Sequence, residues 1–409
     1  MKILMVNHMF TNFGGGETML MAQANLLKAH GHNIEFFALD KEPYFIKDYK
    51  YSKYFPHIKS GIKNYLRHPI KYYYNGDVKN ALKKTIEEIK PNLIHCQFID
   101  TFTYSIFDCF KDIPTILTIH SPYRVFCPIG TYMNNERICK NGCEKGNYIP
   151  CIKNNCSHNI EGNTRKALYS YIAFKNFKNV DYYITPSEAL KKQVIFSKII
   201  EDSNNIISIP NFLDRDMYNT VPNYNNRGYF LYAGRLVKHK GVQYLLQAMK
   251  ELPRNIEIHI AGTGEFESEL KHYKNEYNLN NVKFLGHLTR EQLFNEYQNC
   301  IATLVASNWF EIFGLVNIES FINGKPVIAS NIGGIPEIVE HNVNGLLFEP
   351  ANIDQLKNCI MTYWNNPELV VQHGKNGYQK ARNNYSEDRY YEQIIKIYQH
   401  VINKYKEKM

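Results

Sequence analysis

The sequence predicts an α/β chain built as two doubly wound parallel-sheet domains, on three observations. Short apolar runs alternate with helical stripes from the first residues onward. That rhythm lapses for about twenty residues near the middle and then restarts. At 409 residues, the chain is long enough for two cores and too long for one.

The elements follow in order. Residues 2–6 read as a buried strand, Gly14-Gly15-Gly16 punctuates it, and Met19, Ala22, Leu26 and Leu27 form a helical stripe that stops at Gly31. Residues 34–39 make a second strand, and the helix between the two implies a parallel pairing. Further strands are expected at 93–98, 115–120, 182–185 and 206–210. Residues 209–228, from Ile209-Pro210-Asn211 to Gly228, lose hydrophobic periodicity and read as a linker. Beyond it, strands at 229–234, 256–261, 282–285, 301–306, 326–330 and 345–348 alternate with helices at 242–251, 267–276, 291–299 and 314–323. The tail, 353–408, holds three helical segments broken near Pro367 and Ser386-Glu387. The last carries Tyr390, Ile394, Tyr398 and Val401 at helical spacing and is expected to cross back onto the first domain.

The expected organisation is a first domain over 1–208 with a Cys-rich insertion at 123–160, completed by the C-terminal helix 386–409, then the linker 209–228 and a second domain over 229–385. Both halves are Rossmann-like, and ligands are expected in a cleft between the carboxyl ends of their strands.

Composition narrows the setting. No apolar run approaches the ~20 residues of a membrane span, and the first residues turn polar before a signal-peptide core can form, so a cytoplasmic location is expected. Of the net charge of +9, much sits in residues 41–90, where twelve Lys/Arg face five Asp/Glu with ten Tyr/Phe interleaved. That stretch suits a solvated face or peripheral contact with the anionic inner face of a membrane, and nucleic acid is ranked last. Nine is an odd count, and the isolated cysteines Cys96, Cys109, Cys300 and Cys359 sit in apolar or helical contexts, so a secreted disulfide framework is not expected.

The strongest chemical signal is Glu311-Ile312-Phe313-Gly314-Leu315-Val316-Asn317-Ile318-Glu319, two carboxylates eight apart where a strand gives way to a helix. With a helix starting near Phe313, the Phe313, Gly314 and Leu315 amides are unpaired donors at its positive end, and Glu311 and Glu319 are placed to accept hydroxyl groups. Gly234-Arg235-Leu236-Val237-Lys238-His239-Lys240-Gly241 adds two cations, Arg235 and Lys240, suited to a diphosphate. In the first half, Gly15 and Gly16 lie in neither a dinucleotide fingerprint nor an ATPase loop, and His120 ends a strand. Asp214-Arg215-Asp216 looks like a metal motif but falls in the linker and reads as chance. Cys127, Cys139, Cys143, Cys151 and Cys156, with spacings x11, x3, x7 and x4, are candidate ligands of a structural Zn²⁺; thiols or a local disulfide are the alternative.

In combination, these motifs, with Ile-Pro-Asn at the linker and Asn331-Ile332-Gly333-Gly334-Ile335-Pro336-Glu337 beyond, resemble the retaining nucleotide-sugar glycosyltransferases of family four, which have the GT-B fold. The resemblance implies that Arg235 and Lys240 hold the donor diphosphate and Glu319 the ribose. It also implies that Glu311 and the backbone from Phe313 to Leu315 position the sugar, that His120 lies near the reacting centre, and that Gly15 and Gly16 approach the diphosphate. Ser121, where many members have Asp, and Ile312, where Gly or Pro is frequent, depart from the pattern.

The resulting expectation is a retaining transferase moving a hexose or N-acetylhexosamine from a nucleoside diphosphate sugar, with UDP the expected carrier, to a glycan or lipid-linked acceptor in cell-surface polysaccharide synthesis. No cofactor or catalytic metal is expected. The rivals are a nucleotide-sugar epimerase or phosphorylase on the same fold, and a non-catalytic nucleotide-sugar-binding protein.

Overall fold

The computed structural model describes residues 1–8, 15–39, 49–57, 69–99, 102–123, 125, 127–128, 130, 132–133, 137–139, 143, 146–156, 160–200, 202–218, 221–225 and 228–408. Gly14, parts of the basic stretch 41–90 and parts of the Cys-rich insertion lie outside these residues. The chain divides into two units: Met1–Thr131, Lys140–Pro210 and Tyr390–Met409 form the first, and Tyr132–Cys139 with Asn211–Arg389 the second.

Unit 1 contains β1 (Lys2–Val6), α1 (Gly15–Ala29), β2 (Asn33–Phe37), α2 (Pro69–Tyr73), α3 (Gly76–Ile89), β3 (Leu93–Cys96) and β4 (Thr115–Thr118). Next in the chain, a small antiparallel hairpin of β5 (Tyr132–Met133) and β6 (Arg137–Ile138), counted with unit 2, precedes unit 1's α4 (Ile149–Lys153), α5 (Ile160–Asn176), β7 (Tyr182–Thr185), α6 (Glu188–Ser197) and β8 (Ile206–Ser208). The six-stranded sheet runs β2-β1-β3-β4-β7-β8, every pair parallel. Its strands are buried almost throughout because helices cover both faces, which is why they read as continuous apolar runs. Local chemistry sets the helix starts: the Asn75 side chain accepts from the Asp77 amide at α3, and Ser187 from Leu190 at α6.

Unit 2 follows with α7 (Arg215–Tyr218), β9 (Tyr229–Ala233), α8 (Val242–Glu251), β10 (Glu257–Ala261), α9 (Glu267–Glu276), β11 (Val282–Gly286), α10 (Arg290–Asn299) and β12 (Thr303–Val305). Then come α11 (Leu315–Ile322), β13 (Val327–Ser330), α12 (Ile335–Ile338), β14 (Gly345–Phe348), α13 (Ile353–Asn365), α14 (Pro367–Asn384) and α15 (Glu387–Lys408). The sheet order is β11-β10-β9-β12-β13-β14, again all parallel. Its core joins Phe230, Leu245, Met249, Ile258, Leu304 and Ile360. The segment read as an aperiodic linker holds the short helix α7.

From Tyr390 onward α15 belongs to unit 1. There the Tyr391 ring stacks on His30 at 3.6 Å and its hydroxyl bonds His32 at 2.9 Å, while Tyr398 is fully buried. The helical stripe Tyr390, Ile394, Tyr398 and Val401 therefore covers unit 1, as its spacing demands. The result is an α/β chain of two parallel doubly wound units.

Candidate active site

In unit 2 the chain progresses outward in opposite directions from the adjacent strands β9 and β12. An open α/β sheet has its crevice at such a point, outside the carboxyl ends of the strands. The loops leaving these two strands carry Arg235, Lys240 and Glu311.

Lys240 Nζ donates to both carboxylate oxygens of Glu311, at 2.7 Å to Oε2 and 3.0 Å to Oε1. Ser307 Oγ and Trp309 Nε1 donate to the same Oε2, at 3.0 and 3.2 Å. Burial pushes the Glu311 carboxyl up, but Lys240, Ser307 and Trp309 outweigh it and hold it below its usual value, so it is ionised at neutral pH. The backbone is braced from behind, because the Gly334 amide donates to the Glu311 carbonyl at 2.8 Å. At Gly333, with φ +58°, an added Cβ would stand 2.1 Å from that carbonyl oxygen, so only glycine fits. Arg235 is exposed beyond β9. His239, beside Lys240, is lowered to about 4 by burial and by Lys240, so it adds no third charge at neutral pH.

Helix α11 starts at Leu315, two residues later than the expected start at Phe313. Gly314 takes the left-handed conformation at φ +94° and caps it, while the Asn317 amide and side chain both bond the Gly314 carbonyl, at 3.0 and 2.9 Å. Phe313 has its ring buried edge-on to Tyr385 at 5.8 Å, which makes its side chain a core group. The amides that open the helix are those of Leu315 and Val316. Glu319, in its second turn, accepts from Tyr297 Oη at 2.8 Å; burial raises its carboxyl and Tyr297 offsets part of that rise.

Two cations and a helix start at one sheet edge can neutralise a diphosphate, and two carboxylates there can orient hydroxyls. Sequence reading missed Ser307 and Trp309. Their only signal was their position four and two residues before Glu311, at the same strand end.

In unit 1, His120 lies two residues beyond β4, half-buried and stacked on Phe98 with ring centroids 4.8 Å apart. Its Nε2 donates to Gln97 Oε1, and burial lowers it to about 4, so the ring is neutral. It borders a cavity of about 260 Å³ lined by Phe98, Tyr104, Phe107, Ile119 and Tyr123 among others. Gly15 and Gly16 form the first turn of α1 instead of the expected loop.

Cys127, Cys143, Cys151 and Cys156 are buried and Cys139 is half-buried, all as thiols. Neighbouring Cys156, Cys127 and Cys143 add to burial in raising the Cys151 thiol well above its usual range. Among the described residues no group of three or more His, Cys, Asp or Glu is placed to hold a metal ion, and the rest of the Cys-rich insertion, where the candidate Zn²⁺ ligands and their thiol or disulfide alternative also fall, lies outside those residues. Asp214-Arg215-Asp216 is occupied structurally: Arg215 pairs with Asp388 at 2.9 Å and Glu387 at 3.8 Å, and Asp214 with Arg290 at 4.0 Å. Among the described residues no helix is long and apolar enough to cross a membrane.

Comparison with known proteins identifies the family. Residues 13–217 match the family model Glycosyltransferase Family 4, and residues 217–380 the model Glycosyl transferases group 1. A glycosyltransferase of Methanocaldococcus jannaschii is 31% identical over 199 residues, 49% of this chain and 54% of that protein. The O-antigen chain mannosyltransferase C of Escherichia coli is 26% identical over 172 residues, 42% and 46% respectively. The chain thus spans about half the length of these two curated relatives. HepE of Anabaena, solved in complex with UDP, superposes with a TM-score of 0.66 at 20% identity over 97% of this chain and 99% of its own, a likeness of fold. With one family model covering the first half and a glycosyltransferase model continuing through the Arg235, Lys240, Glu311 and Glu319 loops, the chain belongs to glycosyltransferase family 4.

Proposed function

We propose that this chain transfers a hexose or N-acetylhexosamine from UDP-sugar to a hydroxyl of a glycan or lipid-linked acceptor in cell-surface polysaccharide synthesis, with the anomeric configuration retained. The observation that carries the reading is the Lys240–Glu311 pair beside exposed Arg235 and the start of α11. Arg235 and Lys240 take up the negative charge that grows on the diphosphate as the bond from the anomeric carbon to the phosphate oxygen breaks. Glu311, held by Lys240, Ser307 and Trp309, accepts from a sugar hydroxyl, and Glu319 accepts from the ribose. The departing phosphate oxygen takes the proton of the acceptor hydroxyl, whose oxygen attacks the same face, and no enzymic nucleophile is required. His120 and the unit 1 cavity serve the acceptor side. HepE binds UDP and UDP-glucose, which supports UDP as the carrier, and the mannosyltransferase relative acts on an O-antigen chain.

The membrane part rests on unit 1. Ile70 of α2 is 78% exposed beside Lys71, and Leu168 and Tyr171 of α5 are exposed, with Lys175 over the Tyr171 ring at 4.7 Å. Tyr72 of α2 meets Tyr169 of α5 edge-on at 5.7 Å, so the two helices form one basic, apolar surface suited to anionic lipid.

The test is melting of the purified protein with UDP, GDP, ADP, CDP and their sugars, with and without EDTA, followed by assay of nucleotide release with glycan acceptors. UDP is expected to stabilise most, without regard to EDTA, and to lose that effect in Glu319→Ala. Stabilisation by none of them would sink the donor-site reading. Failure to float with anionic liposomes at low salt would sink the membrane part alone.

A further inference from the structure

Behind His120 lies a buried polar network that the transfer mechanism does not use. His120 Nε2 donates to Gln97 Oε1, and Gln97 Nε2 donates to Gln23 Oε1 at 2.8 Å. Gln23 Nε2 donates to Tyr398 Oη at 3.2 Å, Tyr398 bonds His95 Nδ1 at 2.6 Å, and His95 Nε2 bonds Thr118 Oγ1 at 2.7 Å. Gln23, His95, Gln97, Thr118 and Tyr398 are all buried.

We propose that Gln97 is a positioning residue: it fixes His120 as the Nε2–H tautomer, so that Nδ1 is the ring nitrogen offered to a substrate hydroxyl. This rests on the reading of His120 as a group that meets substrate. A neutral imidazole carries one N–H, and the nitrogen that holds it decides what the other can do. The stack on Phe98 fixes the plane of the ring, and among the described residues Nδ1 has no hydrogen-bond partner.

The amide of Gln97 is held in one sense because its nitrogen is committed to Gln23. From His120 the amide donors run in one direction, Gln97 to Gln23 and Gln23 to Tyr398, and both amide nitrogens also lie 3.3 Å from the His95 ring, Gln23 at Nδ1 and Gln97 at Nε2. Turning the Gln97 amide alone would set its oxygen against the Gln23 oxygen and an N–H against His120 Nε2–H. In a buried site each such loss costs about 1–3 kcal/mol. His95, lowered to about 3 by burial and by His120, stays neutral, so the network carries no charge. The network also joins α15 and α1 to the edge of β3 and β4, because Tyr398 and Gln23 stand behind Gln97.

The groups that can titrate around His120 are few. His95 lies beyond Gln97, His8, Tyr104 and Tyr123 line the same cavity, and among the described residues no Asp or Glu lines it. A carboxylate in place of the Gln97 amide would therefore be the first anion against the ring among the described residues.

The test uses the intact protein with ¹⁵N-labelled histidine, together with the pH profile of transfer. The unmodified protein should show His120 protonated at Nε2. Q97L should lose roughly tenfold to a hundredfold in kcat, the worth of about one oriented hydrogen bond to the substrate hydroxyl, with donor KM little changed. Q97E keeps the accepting oxygen and should keep transfer at high pH, but its acid limb should move up by about 1–3 pH units as the carboxylate stabilises imidazolium. His120 protonated at Nδ1 in the unmodified protein, or a Q97E profile that superimposes on the wild type, would overturn the proposal. Q97E also carries the activity arm if Q97L does not fold. Absence of any transfer by the wild type would count against the transferase reading, while the tautomer measurement would still decide the role of Gln97.

Discussion

At the sheet edge of unit 2 the working groups are ionised, whereas at the sheet edge of unit 1 they are neutral. Glu311 is a carboxylate clamped by Lys240, with Arg235 exposed nearby; His120 is an uncharged ring held by an amide. Charge acts over many ångströms, so a short stretch of loop can place it. A neutral site depends on atoms near 3 Å and draws on Gln23, His95, Gln97 and Tyr398, whose outermost members are 375 residues apart. The difference suits the proposed division of labour, in which unit 2 takes the charged donor and unit 1 the acceptor.

The largest expected effect breaks the charged half of this contrast. Lys240→Ala removes a cation and also unmasks Glu311 beside the diphosphate, so nucleotide release with acceptor should fall by about 10²–10³ or more. The double variant Lys240→Ala/Glu311→Gln should bind UDP more tightly than Lys240→Ala alone, by calorimetry; equal affinities would show that the pair is not electrostatically coupled to the donor. Glu319→Ala should raise donor KM by roughly 10–100-fold, the value of a hydrogen bond to a charged group, with a smaller change in kcat.

The next effect is structural. Gly333→Ala forces a Cβ onto the Glu311 carbonyl and should cost about 1–3 kcal/mol in urea unfolding, with loss of transfer, whereas Gly286→Ala, with no atom within 4 Å of the added Cβ, should cost less. Equal costs would mean that the loop shifts freely and does not brace the carboxylate.

The smallest effect sharpens the neutral half. His95 and His120 sit at about 3 and 4 in the folded chain against 6.5 unfolded. Between those values the unfolded chain binds more protons, so the stability they confer is full above pH 6.5 and is lost as pH falls toward 4. Melting temperature should drop from pH 7 to pH 5, and a variant that folds with His95→Gln should show a shallower slope. An unchanged slope would mean that His95 is not held neutral.

The strand and helix order was legible from the residues, and in unit 2 nearly to the residue: 242–251, 267–276 and 345–348 were read with the bounds they have. Those segments carry strong periodicity and sharp Gly or Pro punctuation. Apolar spacing puts the start of α11 at residues 313–314 and the structure puts it at Leu315, because the Gly314 turn depends on the Asn317 side chain folding back three residues, which no pattern of apolar spacing records. Gly15 and Gly16 were read as loop because glycine punctuates, yet the first turn of a helix tolerates them.

What the sequence determined by itself is the alternation that makes two parallel sheets, with Arg235, Lys240 and Glu311 in the loops leaving two strands of one of them and Glu319 in the helix that follows. These follow from local spacing and from residue type, which the chain carries wherever it folds. Only the tertiary structure decided which atoms meet: that Ser307 and Trp309 join Lys240 on Glu311, that Phe313 turns into the core, and that Tyr398 of the last helix stands behind Gln97. Hydrogen bonds form only within about 3 Å, and chain segments hundreds of residues apart come that close only when both sheets and their covering helices have packed.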